Sequence, residues 1–260
     1  MVFKSILFSD FDGTLCEHQN PGNTVKNLSA VKRWREAGNL FVIITGRGEE
    51  SLRSILPDYK DFSDYCIFCD GVMINYPHDH TYCLKYFGED LANRINDIFS
   101  SCSFGHERTM ICFEPGAEHD RATPDTCKVR LWFTSEIDCA MSEKIFKDNF
   151  SNELEFLTYY SVTFNDDTRL HWVKPEMRHI IEVTAKNIDK SRGINELLCR
   201  LGISNPNRII TIGDGKNDIG MIRDFDGYAV KHAPLDVLVK IPDSNIVPHL
   251  YSLIDKKLSP

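Results

Sequence analysis

Residues 3–15 of the chain read FKSILFSDFDGTL, an apolar run that stops at two aspartates and a glycine. An apolar run of this length that ends in a turn predicts a buried strand of a parallel sheet feeding a loop. Apolar residues then recur at helical spacing over 24–37, with Thr24 as a plausible N-cap and Gly38 as a stop. The sequence therefore begins with a strand–loop–helix unit, the building block of α/β folds.

The same unit recurs on both sides of a different middle segment. Apolar runs at 40–44 and 65–74 predict two more strands, with a helix over 49–56 between them. After residue 190 the pattern resumes with a helix over 192–201, a strand over 208–212, a helix over 217–224 and a short strand over 228–230. This alternation predicts an α/β core with a doubly wound, parallel, Rossmann-like sheet.

The middle of the chain predicts a second domain of another architecture. Two helices are each followed by strand-like segments. The helices lie over 89–101 and 138–150, and the strands over 107–114, 127–134, 156–164, 169–173 and 179–184. This order is typical of an α+β unit with antiparallel pairing. We therefore predict a core of residues 1–83 and 187–260, interrupted by an inserted domain of residues 84–186.

Size and charge narrow the classes of function. A chain of 260 residues favours two domains over one. Lysines and arginines total 30 against 38 aspartates and glutamates, which gives a net charge of −8. This acidic balance argues against nucleic acid and against an anionic membrane as partners. A small anionic substrate stays compatible with it, because a bound metal can invert the local charge.

The sequence predicts a cytoplasmic protein. No apolar run approaches the ~20 residues that span a bilayer, and the first residues lack the apolar region of a signal peptide. The nine cysteines are an odd number without the spacing of a disulfide framework, which favours reduced thiols. The oligomeric state has no signature in the sequence and is left unknown.

Polar residues follow three of the predicted strands. Asp10 and Asp12 end the first strand, and Thr45 and Gly46 follow the second. The sequence GDGKND at 213–218 follows a strand in the second half of the chain. In open α/β sheets, ligands bind at the carboxyl ends of the strands. We therefore expect these residues to meet in one crevice.

The predicted crevice suits phosphoryl transfer with a metal. Its four carboxylates would repel one another unless a cation joined them, and an all-oxygen ligand set favours Mg²⁺. The glycines allow a close approach of the backbone to a phosphate. Carboxylates with Mg²⁺, backbone N–H groups and a lysine form a phosphoryl-transfer site, in which one aspartate could act as a covalent nucleophile.

These segments resemble the four motifs of the haloacid dehalogenase (HAD) superfamily. Residues 10–15, DFDGTL, are similar to motif I, and Thr45-Gly46-Arg47 is similar to motif II. Lys190 resembles motif III, and residues 213–218 with Met221 resemble motif IV. The four occur in the family's order, so the resemblance covers the whole chain.

The position of the insert resembles one branch of that superfamily. Thr14 lies ten positions before the helix at residue 24, which leaves no room for a cap domain there. The insert follows the third strand instead, as in the C2 class of cap. Its order of helices and strands resembles the C2B cap of subtype IIB, the Cof-type and sucrose-phosphatase-like phosphatases.

The resemblance implies a role for each motif residue. Asp10 would attack the substrate phosphorus and form an aspartyl phosphate, and Asp12 would protonate the leaving alkoxide and then activate water. Lys190 would neutralise charge between Asp10 and the phosphoryl group, and Thr45 completes the implied catalytic set. The implied phosphate-binding residues are Asp10, Gly13, Thr45, Gly46, Lys190 and Asn217. The implied Mg²⁺ ligands are Asp10, Asp12 (through its backbone carbonyl), Asp214 and Asp218.

Two positions near the predicted crevice and one polar stretch of the cap bear on substrate recognition. Many Cof-type chains have Asn-Gly after the third strand and Asn-Ala near the end, where this chain has Asp70-Gly71 and His232-Ala233. In the cap, a polar stretch offers donors for a hydroxyl-rich or anionic substrate. These candidate specificity residues are Arg169, His171, Lys174 and Arg178. The alternative is that the four are ordinary solvated turn residues.

The sequence is compatible with three functions. The leading hypothesis is a Mg²⁺-dependent phosphatase, a hydrolase acting on a small phosphorylated metabolite, with sugar phosphates as the favoured class. A phosphomutase of the same superfamily ranks below it, because those enzymes carry a longer glycine-rich motif IV. A non-catalytic phosphometabolite-binding protein would have no need of a second aspartate at Asp12. The fold alone does not choose among the three.

Overall fold

The chain divides into two compact units in a computed structural model that describes residues 4–76, 80–102, 105–160, 176–203 and 209–259. The first unit comprises Met1–Arg47, Leu56–Tyr82 and Asp189–Pro260, and the second comprises Gly48–Ile55 and Cys83–Ile188. Residues 48–55 therefore group with the second unit, although the sequence places them in the core. The close packing at Gly48 accounts for this, since a Cβ there would lie 2.6 Å from Glu118 Oε1.

The described residues form thirteen strands and nine α-helices. The strands are β1 (Ile6–Asp10), β2 (Leu40–Ile44), β3 (Tyr65–Phe68), β4 (Met73–Tyr76), β5 (His80–Cys83), β6 (Arg108–Glu114), β7 (Ala117–His119), β8 (Lys128–Phe133), β9 (Leu154–Tyr160), β10 (His179–Ala185), β11 (Ile209–Gly213), β12 (Asp226–Val230) and β13 (Ile246–Val247). The helices are α1 (Pro21–Glu36), α2 (Glu49–Ile55), α3 (Tyr59–Phe62), α4 (Gly88–Ser101), α5 (Glu136–Phe150), α6 (Lys190–Arg200), α7 (Ile219–Asp224), α8 (Leu235–Leu238) and α9 (Leu250–Leu258). None of these helices combines the length and the apolar character that crossing a bilayer requires.

The first unit is built on an eight-stranded sheet with the order β13-β12-β11-β1-β2-β3-β4-β5. Neighbouring strands from β13 to β3 pair in parallel, and β3 pairs with β4 antiparallel. Every residue of β1 and β11 is buried, as expected of central strands covered on both faces. Because β2 lies on one side of β1 and β11 on the other, the strand order reverses at β1. The predicted doubly wound core is confirmed.

The predicted strand over 65–74 is wrong in one respect, because the chain reverses in its middle. Cys69 and Asp70 have φ angles of 54° and 56°, and Gly71 has a φ of 105°. Positive φ angles end a strand, so β3 and β4 form an antiparallel pair instead of one strand. A glycine is required at position 71, since a Cβ there would lie 2.1 Å from the carbonyl oxygen of Asp189.

The second unit is an antiparallel sheet with helices packed on one face. Its strands have the order β7-β6-β8-β10-β9, and each neighbouring pair is antiparallel. Alternate residues of β8 and β10 enter a core that also contains residues of α4 and α5; among them are Val129, Leu131, Phe133, Ile181, Val183, Ile95 and Phe146. This is the α+β architecture expected of the insert. The strand predicted over 169–173 lies outside the described residues.

Candidate active site

Three neighbouring strands of the first sheet end at the predicted site. β11 lies beside β1, and β1 lies beside β2. Asp10 is the last residue of β1, Thr45 follows β2 and Asp214 follows β11. Since these strands are parallel, their carboxyl ends lie at one edge of the sheet. The order of the strands therefore brings the three residues to the same place.

Lys190 joins two of the predicted carboxylates. Its Nζ donates to Asp10 Oδ1 at 2.5 Å and to Asp218 Oδ1 at 2.6 Å, and 0% of its side chain is exposed. Lys190 is the first residue of α6, because the Asp189 carboxylate caps that helix by accepting the N–H of Arg192 at 2.7 Å. The cap thus fixes the position from which Lys190 reaches the two carboxylates.

Burial and mutual repulsion change the protonation of this cluster. Burial raises the pKa of Asp10 well above its usual value and the neighbouring carboxylates add to the shift, although Lys190 opposes it. Burial, followed by the charge of Asp218, raises the pKa of Asp214 to about 7. Burial alone would lower the pKa of Lys190, but Asp10 and Asp218 raise it well above its usual value. The carboxylates are held close together despite their repulsion.

This cluster fits a divalent cation. Asp10, Asp214 and Asp218, which we call the acidic cluster, each offer a carboxylate oxygen, and these oxygens lie within 4.8 Å of one another. Carboxylate oxygens are the hard ligands that Mg²⁺-type cations prefer. The raised pKa values of Asp10 and Asp214 support the fit, because they arise from burial and then from repulsion between carboxylates, and a cation would offset both.

Asp218 anchors the loop after β11. Its Oδ2 accepts the backbone N–H groups of Asp214 at 2.9 Å and Gly215 at 2.7 Å. Gly213 permits this approach, because a Cβ there would lie 2.3 Å from Asp218 Cγ. The helix predicted over 217–224 begins here as a short 3-10 turn and continues as α7. The Asp218 carboxylate thus holds the loop in place and also accepts a hydrogen bond from the buried Lys190.

Asp12 is held by two cationic side chains. Arg47 Nε and Nη2 donate to its two carboxylate oxygens at 2.7 and 2.8 Å, and His18 Nε2 donates to Oδ1 at 2.8 Å. Partial burial would raise the pKa of Asp12, but Arg47 and His18 outweigh it and hold the pKa well below its usual range. Hydrogen bonds to Asp12 and then to Cys16 raise the pKa of His18 to about 10. Arg47 and His18 therefore favour the ionised form of the Asp12 carboxylate.

Gly13 lets the loop after β1 pass close to the acidic cluster. Its φ is +81°, and a Cβ there would lie 2.3 Å from Asp214 Oδ2. The next residue, Thr14, donates its hydroxyl to Asp214 Oδ1 at 3.2 Å. On the other side, the Nε2 of the exposed His232 donates to the Gly13 carbonyl oxygen at 2.6 Å. His232, one of the two departures from the family pattern, thus contacts a predicted phosphate-binding residue.

The other departure, Asp70, also lies at this site. Its Oδ1 accepts Asn217 Nδ2 at 2.8 Å, and its backbone N–H donates to the Thr45 carbonyl at 3.0 Å. A Cβ on Gly46 would lie 3.1 Å from Asp70 Oδ1. The buried Thr45 hydroxyl accepts the N–H of Arg47 at 3.1 Å. Asp70 therefore bonds to two of the residues that the resemblance assigns to phosphate binding, Thr45 and Asn217, and lies close to a third, Gly46.

The predicted residues divide into two groups. Those of the four motifs lie together at the carboxyl edge of the first sheet, while their chemical roles stay predictions. Among the candidate specificity residues, Arg169, His171 and Lys174 lie outside the described residues. Arg178 is half-buried and directly precedes β10 of the second unit.

Sequence reasoning missed two contacts of Asp12. Arg47 was visible as the third residue of the segment similar to motif II, but its pairing with Asp12 was not. His18 carried no sequence signal, because it reaches Asp12 only where the chain folds back after β1. A bridge between Asp12 and Cys16 produces that fold.

Comparison with known proteins identifies the family. The sequence matches the model of the haloacid dehalogenase-like hydrolases over residues 7–240. No curated protein matches it in a sequence search. A haloacid dehalogenase-like hydrolase from Bacteroides thetaiotaomicron has a TM-score of 0.74 and 15% identity, covering 98% of this chain and 99% of its own.

Two further solved structures are similar. A HAD/COF-like hydrolase from Plasmodium vivax has a TM-score of 0.73 and 20% identity, covering 98% of this chain and 95% of its own. A protein described as a HAD subclass IIB sugar phosphatase has a TM-score of 0.68 and 19% identity, covering 97% and 95%. At such identities these structures support the shared fold. The family model covers every motif residue described above, and the resemblance predicted from the sequence is confirmed. The chain belongs to the haloacid dehalogenase-like hydrolases.

Proposed function

We propose that this protein is a Mg²⁺-dependent phosphatase that hydrolyses a small phosphorylated metabolite of the sugar-phosphate class. The observation that carries the proposal is the buried contact of Lys190 with Asp10 and Asp218 beside Asp214. At the end of β1, Lys190 meets several carboxylates, and one of them, Asp10, is the last residue of the strand. Phosphoryl transfer needs this combination of a nucleophile, a fixed cation and oxygen ligands for a metal.

The proposed reaction proceeds in two steps through Asp10. A carboxylate oxygen of Asp10 attacks the substrate phosphorus, the P–O bond to the alcohol breaks, and the alkoxide leaves with a proton from Asp12. Water then attacks the aspartyl phosphate, gives its proton to Asp12, and releases inorganic phosphate. Lys190 holds the other Asp10 oxygen and stabilises negative charge in both steps. Mg²⁺ bound by the acidic cluster supplies a Lewis acid.

The remaining motif residues would bind the phosphoryl group. We assign its oxygens to the Thr45 hydroxyl, the backbone of Gly13 and Gly46, and the Asn217 amide. Asp70 supports this assignment because its hydrogen bonds hold two of these residues, Thr45 and Asn217. Recognition of the alcohol is assigned to the second unit, where Arg178 is the described candidate.

One structural neighbour supports the sugar-phosphate class, and the composition of the chain supports the proposed partners and location. That neighbour is described as a subclass IIB sugar phosphatase. A net charge of −8 argues against nucleic acid and anionic membranes as partners. The nine cysteines without a disulfide framework favour a cytoplasmic location.

Phosphate release from a panel of phosphorylated sugars and an aryl phosphate tests the proposal. We expect hydrolysis with Mg²⁺, loss of activity in excess chelator, and no turnover by Asp10→Asn, because an amide cannot form the acyl phosphate. Asp236→Asn is the matched control, since this exposed aspartate pairs with Lys216 on the surface. Full activity in chelator contradicts the metal assignment, and turnover by Asp10→Asn contradicts the nucleophile. A mutase or a non-catalytic binder would release no phosphate.

A further inference from the structure

A second cluster of metal-ligating side chains lies in the first unit, apart from the acidic cluster. It consists of Glu17, His232 and His249, whose ligand atoms all lie within 4.8 Å of one another. Glu17 lies in the loop between β1 and α1, His232 in the loop after β12, and His249 directly before α9. The three residues are remote in sequence, and the parallel sheet brings them together at the carboxyl ends of its strands.

Neighbouring side chains orient the carboxylate of this cluster. Glu17 is only 8% exposed, and its Oε1 accepts His249 Nδ1 at 2.8 Å. Its Oε2 accepts Asn23 Nδ2 at 2.8 Å, and its backbone N–H donates to the Thr24 hydroxyl at 2.9 Å. The hydrogen bond from Asn23 is typical of the outer contacts of metal sites. The bond between His249 and Glu17 joins two of the proposed ligands, so it is not an outer contact.

The two imidazoles are also held in place. The ring of His249 stacks on Tyr251 with a centroid distance of 5.0 Å, and the ring of His232 lies 6.2 Å away. His232 Nε2 donates to the Gly13 carbonyl oxygen at 2.6 Å, because a carbonyl can only accept. The Nδ1 of neutral His232 therefore keeps its lone pair for a metal. His232 is exposed, so solvent can reach the cluster.

The ligand chemistry of this cluster differs from that of the acidic cluster. Two imidazoles and one carboxylate form the ligand set of zinc sites that keep one position open to water. Imidazole favours borderline ions such as Zn²⁺ over Mg²⁺. We propose that Glu17, His232 and His249 form a second metal site that is selective for Zn²⁺ over Mg²⁺.

Zn²⁺ bound there would link three segments of the first unit. It would join the loop after β1, the loop after β12 and the start of α9. A ligand that binds only the folded state stabilises it by mass action, so Zn²⁺ should raise the melting temperature. Through His232 the site also contacts Gly13, whose backbone approaches Asp214 of the acidic cluster.

Zn²⁺ titration of the full chain in a large excess of Mg²⁺ tests this site. Competition with a chromophoric chelator measures the Zn²⁺ affinity. The Mg²⁺ is added to occupy the acidic cluster. We expect the wild type to bind Zn²⁺, and His232→Asn and His249→Asn to bind it at least about tenfold more weakly. His106→Asn is the matched control, an exposed histidine bonded to Asp138 in the second unit.

The variants also have a readout that does not depend on the chelator. Zn²⁺ should raise the melting temperature of the wild type and of His106→Asn by the same amount, and that of His232→Asn by less. Because His232 is exposed, its substitution leaves the core packing intact, which circular dichroism can verify. Equal Zn²⁺ affinity in all four proteins would place the ion elsewhere, for example on cysteines, and overturn the proposal. Failure of the wild type to bind Zn²⁺ would overturn it as well.

Discussion

Replacing Lys190 by methionine tests whether this lysine holds the acidic cluster together. The side chain is fully buried and donates to Asp10 and Asp218 at 2.5 and 2.6 Å. Methionine keeps most of the volume, so the main effect is the loss of charge. Removing one partner of a buried ion pair costs about 3–5 kcal/mol, because the remaining charge is left uncompensated. We expect a loss of this size in the free energy of unfolding at pH 8 with chelator present.

The loss should become smaller as the pH falls. The pKa values of Asp10 and Asp214 are raised in the folded state, that of Asp214 to about 7 from 3.8. A raised carboxyl pKa means that the folded state binds more protons than the unfolded state, so stability falls as the pH rises through this range. The destabilisation that these raised pKa values cause is absent below the carboxyl pKa of the unfolded state and complete above that of the folded state. As the pH falls, protonation of Asp10 removes part of the negative charge that the lysine compensates.

Urea unfolding followed by circular dichroism measures both effects. Lys216→Met is the matched control, because the Lys216 side chain is 50% exposed and pairs with Asp236 at 2.9 Å. Exposed pairs contribute about 0–1 kcal/mol, so this variant should unfold nearly as the wild type does. Mg²⁺ should restore part of the stability of Lys190→Met. A loss below about 1 kcal/mol at pH 8, or an equal loss at pH 5 and pH 8, would refute the reasoning.

Three further substitutions test the site through activity. Asp12→Asn should slow alkyl phosphates more than aryl phosphates, because phenolate leaves more readily without a proton; equal losses in kcat would exclude an acid role. Gly13→Ala should lower activity and raise the Mg²⁺ requirement, since its Cβ would lie 2.3 Å from a carboxylate oxygen of the cluster. Gly38→Ala has the same backbone strain at φ +84° with nothing within 4 Å, so it should lose stability and keep activity. Arg178→Ala should weaken kcat/KM for the best metabolite by about 1–3 kcal/mol and spare the aryl phosphate, whereas the exposed Arg121→Ala should change neither.

Three residues of the site could be predicted because each stands directly at the end of a strand. Asp10, Thr45 and Asp214 follow apolar runs that are recognisable without any structure. Parallel pairing then places such ends at one edge, so local patterns were sufficient to predict a long-range juxtaposition. The contact of Lys190 with Asp10 spans 180 positions and was implied by the family resemblance rather than by spacing.

The prediction of one strand over 65–74 missed a local turn signal, because Asp70-Gly71 between apolar residues is typical of a β-hairpin. The sequence does not show the tertiary contact that makes the glycine necessary. Position 71 requires a glycine because the start of α6 approaches it, so that a Cβ there would lie 2.1 Å from the Asp189 carbonyl oxygen. Cys69 and Asp70 adopt positive φ angles that few such residues choose locally. The side chain of Asp70 is thereby turned towards Asn217.

The surroundings of Asp12 change how its role must be understood. A general acid has to carry a proton, yet Arg47 and His18 hold the pKa of Asp12 well below its usual range. The ionised form suits the second step of the proposed reaction, in which Asp12 would accept a proton from water, but not the first. A bound phosphoryl group is an anion and would compete with Asp12 for the Arg47 guanidinium. If substrate binding draws Arg47 away, the pKa of Asp12 rises only when there is an alkoxide to protonate. The contact between Arg47 and Asp12 would then keep the acid unprotonated until the substrate arrives.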